Sequence, residues 1–141
     1  MSIYLDLTSE LNRGRLRALL SSGQAVVLHR LAVTSKDGDW ILHEDEESLA
    51  HVLAVLSGHG ARYRYGAPLD VRWMRGGWSA HFQFLRDGLR VRTDFVTRPP
   101  RLSAADLERT WRDAVPERPV LGLRDLTLVK MTDREKDWPV V

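Results

Sequence analysis

The chain contains no cysteine. This absence excludes a disulfide framework, a thiolate metal site and a cysteine nucleophile, and it is typical of proteins of the reducing cytoplasm. No apolar run approaches the roughly 20 residues that a membrane-spanning helix needs. The first residues also lack the basic start and the apolar core of a signal peptide. We therefore expect a cytoplasmic protein that has no membrane partner.

Several catalytic signatures are also missing. The sequence has no GxSxG, no P-loop and no GxGxxG, so it offers neither a nucleophile elbow nor a common glycine-rich phosphate loop. His43, His51 and His59 follow one another at intervals of eight residues. This spacing does not match HExxH or any comparable set of zinc ligands. A histidine metal site is therefore not expected.

The composition is that of one ordinary globular domain. Of the 141 residues, 43% are hydrophobic and 28% are charged, which argues against disorder and allows a buried core. The net charge is only +2, but residues 1–70 hold seven Lys/Arg against nine Asp/Glu, and residues 71–141 hold fourteen against ten. An acidic first half and a basic second half would suit a cleft where a metal ion meets phosphate, unless the distribution is chance.

The hydrophobic pattern predicts an α+β domain with a mixed or antiparallel sheet, without repeats or linkers. The predicted helices cover residues 9–21, 45–58, 103–111 and 123–130. The predicted strands cover residues 24–33, 39–42, 62–65, 69–73, 78–84 and 89–97. Asp87-Gly88 is a strong two-residue turn, so the last two strands are expected to form a hairpin.

Five large aromatic residues are interpreted as core residues rather than as platforms for base stacking: Trp73, Trp78, Phe82, Phe84 and Trp111. Trp78, Phe82 and Phe84 stand at even positions of one predicted strand. Because side chains alternate between the two faces of a strand, these three should point inward together.

Asp37 and Asp39 are the first candidates for a functional site. They are two residues apart, so on one strand both carboxylates would lie on the same face, with Cα atoms about 7 Å apart. Such a pair can bridge magnesium ions that also hold the oxygens of a triphosphate. The alternative is structural, because Asp37-Gly38 between two apolar runs is also typical of a hairpin turn.

Asp94 is the third candidate carboxylate. It lies in the middle of a predicted strand, between Val91 and Val96, where a charged group is unfavourable without a partner or a function. One interpretation makes Asp94 a metal ligand and the base that accepts a proton from an attacking hydroxyl. The alternative is purely structural. Arg90 and Arg92 lie four and two residues before Asp94, so their side chains would share its face of the strand and could form ion pairs with it.

Basic residues supply two further candidate groups. Lys130, Arg134 and Lys136 follow the last predicted helix and can bind phosphates, or they complement the helix dipole. A second group would bind RNA or DNA through salt-dependent phosphate contacts. This group consists of Arg90, Arg92, Arg98 and Arg101.

Three segments together resemble the nucleotidyltransferase-like superfamily, in the small bacterial branch that includes abortive-infection and toxin–antitoxin proteins. Residues 34–41, TSKDGDWI, are similar to the family's Thr-x-Asp-apolar-Asp-apolar strand. Residues 92–96, RTDFV, are similar to the later strand with the third carboxylate. Residues 123–130, LRDLTLVK, followed by REKD at 134–137, resemble its closing helix. The resemblance covers roughly residues 15–141.

The resemblance implies a mixed sheet flanked by helices and two Mg²⁺ ions. It also implies transfer of a nucleoside monophosphate from an NTP to a hydroxyl or phosphate acceptor on protein, RNA or a small molecule. Asp37 and Asp39 would hold the metals and Asp94 would complete the site. The implied nucleotide or phosphate contacts are Ser35, Lys130, Arg134 and Lys136.

The sequence departs from the family pattern at three points. The family's Gly-Gly or Gly-Ser turn is replaced by Ser22-Gly23, which keeps the spacing to Asp37, or by His29-Arg30, which the strand predicted over 24–33 favours. Gly38 stands where an apolar residue normally packs, which we expect to loosen the strand. The chain ends at Val141, where relatives usually continue the helix.

These departures leave three functions open. The first is a magnesium-dependent nucleotidyltransferase. The second is the same fold without catalysis, acting as a protein-binding module such as a toxin or antitoxin component. The third is a nucleic-acid-binding domain.

Overall fold

The computed structural model describes residues 3–21, 37–100 and 102–114. The helices in these residues are α1 (Ile3–Leu11), α2 (Glu46–Gly58), α3 (Val71–Arg75) and α4 (Ala104–Asp113). The strands are β1 (Ala18–Ser21), β2 (Asp37–Leu42), β3 (Arg62–Gly66), β4 (Ala80–Arg86) and β5 (Leu89–Val96). The chain therefore has the predicted α+β fold. No helix of these residues is long and apolar enough to cross a membrane.

The strands form one mixed sheet in the order β1-β2-β5-β4-β3. The central pair, β2 and β5, is parallel, and the other three pairs are antiparallel. A parallel pair needs a crossover connection, and here the segment between β2 and β5 contains α2, β3, α3 and β4. The consequence is that two strands far apart in the sequence lie side by side at the centre of the sheet.

Helices cover the two faces of the sheet unequally. Side chains of α1 and α2 pack with Trp40, Phe82 and Phe95 in the main core on one face. On the other face, α4 packs with Leu19 and Ile41 in a smaller cluster. This smaller cluster lies near the carboxyl ends of β2 and β5, and polar residues follow it along the same face.

The boundaries of two helices follow from their capping residues. Asp45 accepts a hydrogen bond from the Ser48 backbone N–H at 2.7 Å and begins α2, as its acidic start predicted. Ser103 accepts one from the Asp106 backbone N–H and begins α4. The predicted Asp87-Gly88 turn is confirmed, since both residues have the positive φ that a tight hairpin requires.

The helix predicted over residues 9–21 is wrong. In the structure α1 ends at Leu11, and β1 begins at Ala18 after a turn. The Asn12 side chain fixes this turn, because its Oδ1 accepts hydrogen bonds from the backbone N–H groups of Arg17 and Ala18. Leu19 and Leu20 are both fully buried on opposite faces of the sheet, so the leucines that suggested a helical stripe serve a strand instead.

The strand predicted over residues 69–73 is also wrong, because α3 occupies this segment. Asp70 caps α3 by accepting a hydrogen bond from the Arg72 backbone N–H. The inward orientation predicted for Trp78 is wrong too: Trp73 and Trp78 are 42% and 56% exposed. Phe82 and Phe84 are buried as predicted.

Two predicted elements lie outside the described residues. They are the strand over 24–33 and the last helix over 123–130. Both versions of the family's Gly-Gly or Gly-Ser turn, Ser22-Gly23 and His29-Arg30, also lie outside them.

Candidate functional site

A row of five residues, one from each strand, crosses the sheet of the described residues. Ser21 pairs with Asp39, Asp39 with Asp94, Asp94 with His81, and His81 with Tyr65. All five occupy positions on the face that also carries Ile41 and α4. We call this set the transverse row. It brings an acidic pair, an imidazole and an aromatic ring into one line.

Asp39 and Asp94 stand directly opposite each other on the parallel pair β2 and β5. The Asp39 side chain is one of the neighbours that lower the pKa of Asp94. Asp37 occupies a strand position of the same parity, in register with Arg92. The hairpin-turn interpretation of Asp37-Gly38 is therefore wrong, since both residues belong to β2. The side chain of Asp37 lies outside the described part of the structure.

Gly38 does not loosen the strand as predicted. A β-carbon at this position would lie 2.5 Å from Tyr4 Cδ1 and 2.6 Å from Trp40 Cη2. The fully buried Trp40 ring thus fills the space that an apolar side chain at position 38 would take. Its indole Nε1–H donates to Thr8 Oγ1 at 2.8 Å, which ties β2 to α1. Gly38 is the residue that permits this tight packing.

Two cationic or hydrogen-bonding groups hold one oxygen of Asp94. Arg64 Nη2 and His81 Nδ1 each lie 2.6 Å from Asp94 Oδ1. Burial raises the pKa of Asp94, but the hydrogen bonds from His81 and Asp39 and the charges of His81 and Arg64 outweigh it. The pKa of Asp94 is therefore lowered below its ordinary value. The ionised form of Asp94 is therefore favoured at neutral pH.

His81 is held in one orientation from three sides. Its Nδ1–H donates to Asp94, its Nε2 lies 2.8 Å from Ser79 Oγ, and its ring stacks on Tyr65 at 4.2 Å between centroids. The hydrogen bonds have the connectivity of a Ser–His–Asp triad. Because Arg64 pairs with the same oxygen of Asp94, that carboxylate stabilises an imidazolium less than a triad aspartate does. The arrangement therefore favours an orienting role for His81.

A second row lies beside the first and carries two arginines. Arg92 pairs with Asp37 on one side and Gln83 on the other, and Gln83 pairs with Arg62. Phosphate oxygens bind such guanidinium groups well. The acidic pair thus has positive charge next to it along β5.

The sequence alone did not single out Arg64, His81 or Tyr65 as site residues. For His81 a signal was present, because a two-residue turn at Asp87-Gly88 fixes the hairpin register and sets His81 opposite Asp94. No comparable signal existed for Arg64. This residue lies on β3, which does not pair with β5, the strand that carries Asp94. The predicted ion-paired face exists around Asp94, but its cation comes from Arg64 rather than from Arg90 or Arg92.

The remaining candidates are not brought to the transverse row by the described structure. Arg98 is exposed and forms an ion pair with Glu44 at 2.7 Å. The others lie outside the described residues: Ser35, Arg101, Lys130, Arg134 and Lys136. Within the described ranges no group of three or more His, Cys, Asp or Glu side chains has metal-binding geometry.

No family model, curated protein or solved structure matches the chain. The transverse row is therefore the feature that indicates function. Its acidic pair offers oxygen ligands of the kind that Mg²⁺ prefers. Its aromatic end offers a flat apolar surface.

Proposed function

We propose that the protein is a magnesium-dependent nucleotidyltransferase that moves a nucleoside monophosphate from an NTP to a hydroxyl or phosphate acceptor. The observation that carries this proposal is the register of β2 and β5, which sets Asp39 against Asp94. Two adjacent carboxylates on the sheet, with Arg92 and Arg62 in the neighbouring row, fit a triphosphate and its metal ions. The three-segment resemblance in the sequence points to the same reaction.

The donor set fits Mg²⁺. Asp39 and Asp94 stand in register on adjacent strands, and a divalent cation is the usual way to balance the charge of two close carboxylates. Asp39 and Asp94 would hold the metal, and Asp37 is the candidate third ligand by its strand position. When bound, the metal would neutralise charge on the triphosphate during transfer.

The protein residues around this pair have an orienting role. Arg64 and His81 both contact Oδ1 of Asp94 and fix the orientation of its carboxylate. The lowered pKa of Asp94 makes it a weak proton acceptor and favours the ligand role over the general-base role. Arg92 and Arg62 in the neighbouring row would contact phosphate oxygens.

The reaction then needs little covalent chemistry from the protein. An acceptor oxygen forms a bond to the α-phosphorus of the NTP as the bond from that phosphorus to the bridging oxygen of the β-phosphate breaks. Pyrophosphate leaves, and the proton of a hydroxyl acceptor passes to solvent. Positioning and charge neutralisation by the sheet supply the catalysis.

Binding and transfer assays on charge-neutral variants test the proposal. Asp39→Asn and Asp94→Asn should abolish magnesium-dependent binding of NTP, measured by calorimetry, and incorporation of α-labelled nucleotide into acceptor preparations. Asp113→Asn is the matched control, because Asp113 is exposed on α4 outside the row. Magnesium-dependent NTP binding that persists unchanged in both site variants would disprove the assignment.

A non-catalytic module is the second candidate, and the Arg64–Asp94 ion pair favours it. The guanidinium already supplies positive charge where a metal would otherwise act. A thermal shift separates the two functions, because any ligand of the native state raises its melting temperature. If millimolar NTP with magnesium gives no shift while a co-purifying protein does, the module is the better assignment.

A further inference from the structure

Tyr65 is an exposed aromatic residue at the end of the transverse row. It belongs to β3, which forms one edge of the described sheet, and 61% of the residue is exposed to solvent. Large aromatic side chains are usually buried for most of their area. The distinguishing feature of Tyr65 is therefore its place in the row beside the acidic pair rather than its exposure alone.

The candidate site itself holds this ring in place. The His81 ring stacks on Tyr65 with 18° between their planes, and Arg64 Cζ lies 5.1 Å from the centroid of the Tyr65 ring. His81 and Arg64 also reach the same oxygen of Asp94, so the ring is anchored to the acidic pair. The stacked His81 ring covers one face of Tyr65, and the residue still keeps 61% of its area exposed.

The distance between Asp94 and Tyr65 matches the distance between the α-phosphorus and the base of a nucleotide. Tyr65 is two strands away from Asp94, which corresponds to roughly 10 Å at the usual spacing of neighbouring strands. In the proposed reaction, the α-phosphorus of the donor must lie at the acidic pair. A ribose then bridges from that phosphorus toward the edge of the sheet, and the base arrives at Tyr65.

We infer that Tyr65 is the stacking platform for the base of the donor NTP. This inference rests on the proposed function and adds how the nucleoside part is recognised. Stacking on an aromatic ring is worth about 5- to 150-fold in affinity and tolerates every base, because each base has a π-face. The site should therefore bind the four NTPs with similar stacking contributions.

Comparison of NTP with inorganic tripolyphosphate isolates the contact with the base. We expect Tyr65→Ala to weaken magnesium-dependent binding of ATP, GTP, CTP and UTP by about 5- to 150-fold, measured by calorimetry without acceptor. Binding of magnesium tripolyphosphate, which has no base, should change by less than about twofold. Tyr65→Phe should bind every ligand like the wild type, because it keeps the ring.

Two further variants control for indirect effects. Tyr65→Leu keeps an apolar side chain against His81 but removes the π-face, so it should lose NTP affinity as Tyr65→Ala does. Trp73→Ala removes an exposed aromatic residue of α3 that is not in the row and should leave all affinities unchanged. Circular dichroism verifies that each variant is folded.

The binding results distinguish a failure of the stacking role of Tyr65 from a failure of the proposed nucleotidyltransferase function. NTP affinity that is unchanged in Tyr65→Ala and Tyr65→Leu, while the wild type binds NTP and tripolyphosphate, would overturn the stacking role and leave the proposed function intact. Equal losses for NTP and tripolyphosphate would also overturn it, since Tyr65 would then act through His81 and Asp94. If the wild type binds neither ligand with magnesium, the proposed function and the inference both fail.

Discussion

Arg64 on β3 forms an ion pair with Asp94 on β5, with 2.6 Å between Arg64 Nη2 and Asp94 Oδ1, although β4 lies between the two strands. A change of register between Tyr63 and Tyr65 leaves Arg64 without a partner position on β4. Arg64 Nε also donates to the Phe82 carbonyl at 3.2 Å. An irregularity in an edge strand thus places a guanidinium against the central acidic pair.

We expect Arg64→Met to lower the free energy of unfolding by about 2 kcal/mol, because it leaves Asp94 half-buried without its cation. Urea unfolding at neutral pH measures this change. Arg72→Met is the control, since the Arg72 side chain is 85% exposed and such ion pairs contribute little. Equal stability of the Arg64 variant and the wild type would show that the ion pair has no energetic role.

His81→Phe should weaken the binding of Mg²⁺ in the presence of NTP by about 10- to 100-fold, the usual effect of losing a residue that orients a metal ligand. The substituted ring can still stack on Tyr65, but it cannot donate to Asp94. Ser79→Ala, which removes only the outer hydrogen bond of His81, should have a smaller effect. Magnesium titration of the NTP complex measures both. Identical magnesium affinities in His81→Phe and the wild type would contradict the orienting role.

Gly38→Ala should destabilise the protein by about 1–3 kcal/mol, because the new methyl group would overlap the rings of Tyr4 and Trp40. Thermal unfolding followed by calorimetry measures the loss. Gly58→Ala is the matched control: a β-carbon at Gly58 has no atom within 4 Å, so that variant should be at least as stable as the wild type. Unchanged stability of Gly38→Ala would mean that the Trp40 ring can repack at no cost.

Asp45 should contribute an acid-sensitive part of the stability. The hydrogen bond from Arg15 is the main cause that lowers the pKa of Asp45 to about 2 from its ordinary 3.8, with the capping bond from Ser48 adding to it. Since the pKa is lowered on folding, the contribution is present above about pH 4 and is lost as pH falls toward 2. The side chain is 36% exposed, so solvent screening keeps the contribution below about 1 kcal/mol.

Urea unfolding between about pH 1.5 and 6, a range chosen to bracket the two pKa values, tests this prediction. Asp45→Asn should flatten the pH dependence in that window, and Arg15→Met should remove most of the same component. A pH profile of Asp45→Asn parallel to that of the wild type would contradict it.

Local sequence features were sufficient for the elements whose signals agree with each other. Asp45 and the apolar stripe behind it predict α2, and the Asp87-Gly88 turn predicts the hairpin of β4 and β5 together with its register. The local sequence predicted the wrong element where the same residues fit both a helix and a strand. Leu19 and Leu20 suit a helix or a doubly buried strand, and only the turn at Asn12 and the pairing with β2 decide between them.

The sequence by itself determined that Asp94 lies in a strand and that a tight hairpin exists, because the periodicity and turn chemistry that encode them are local. Only the tertiary structure decided that Asp39 lies against Asp94 and that Arg64 reaches across β4. A parallel pairing between strands more than fifty residues apart depends on how both faces of the sheet are buried by the rest of the chain, and no short window of sequence contains that information.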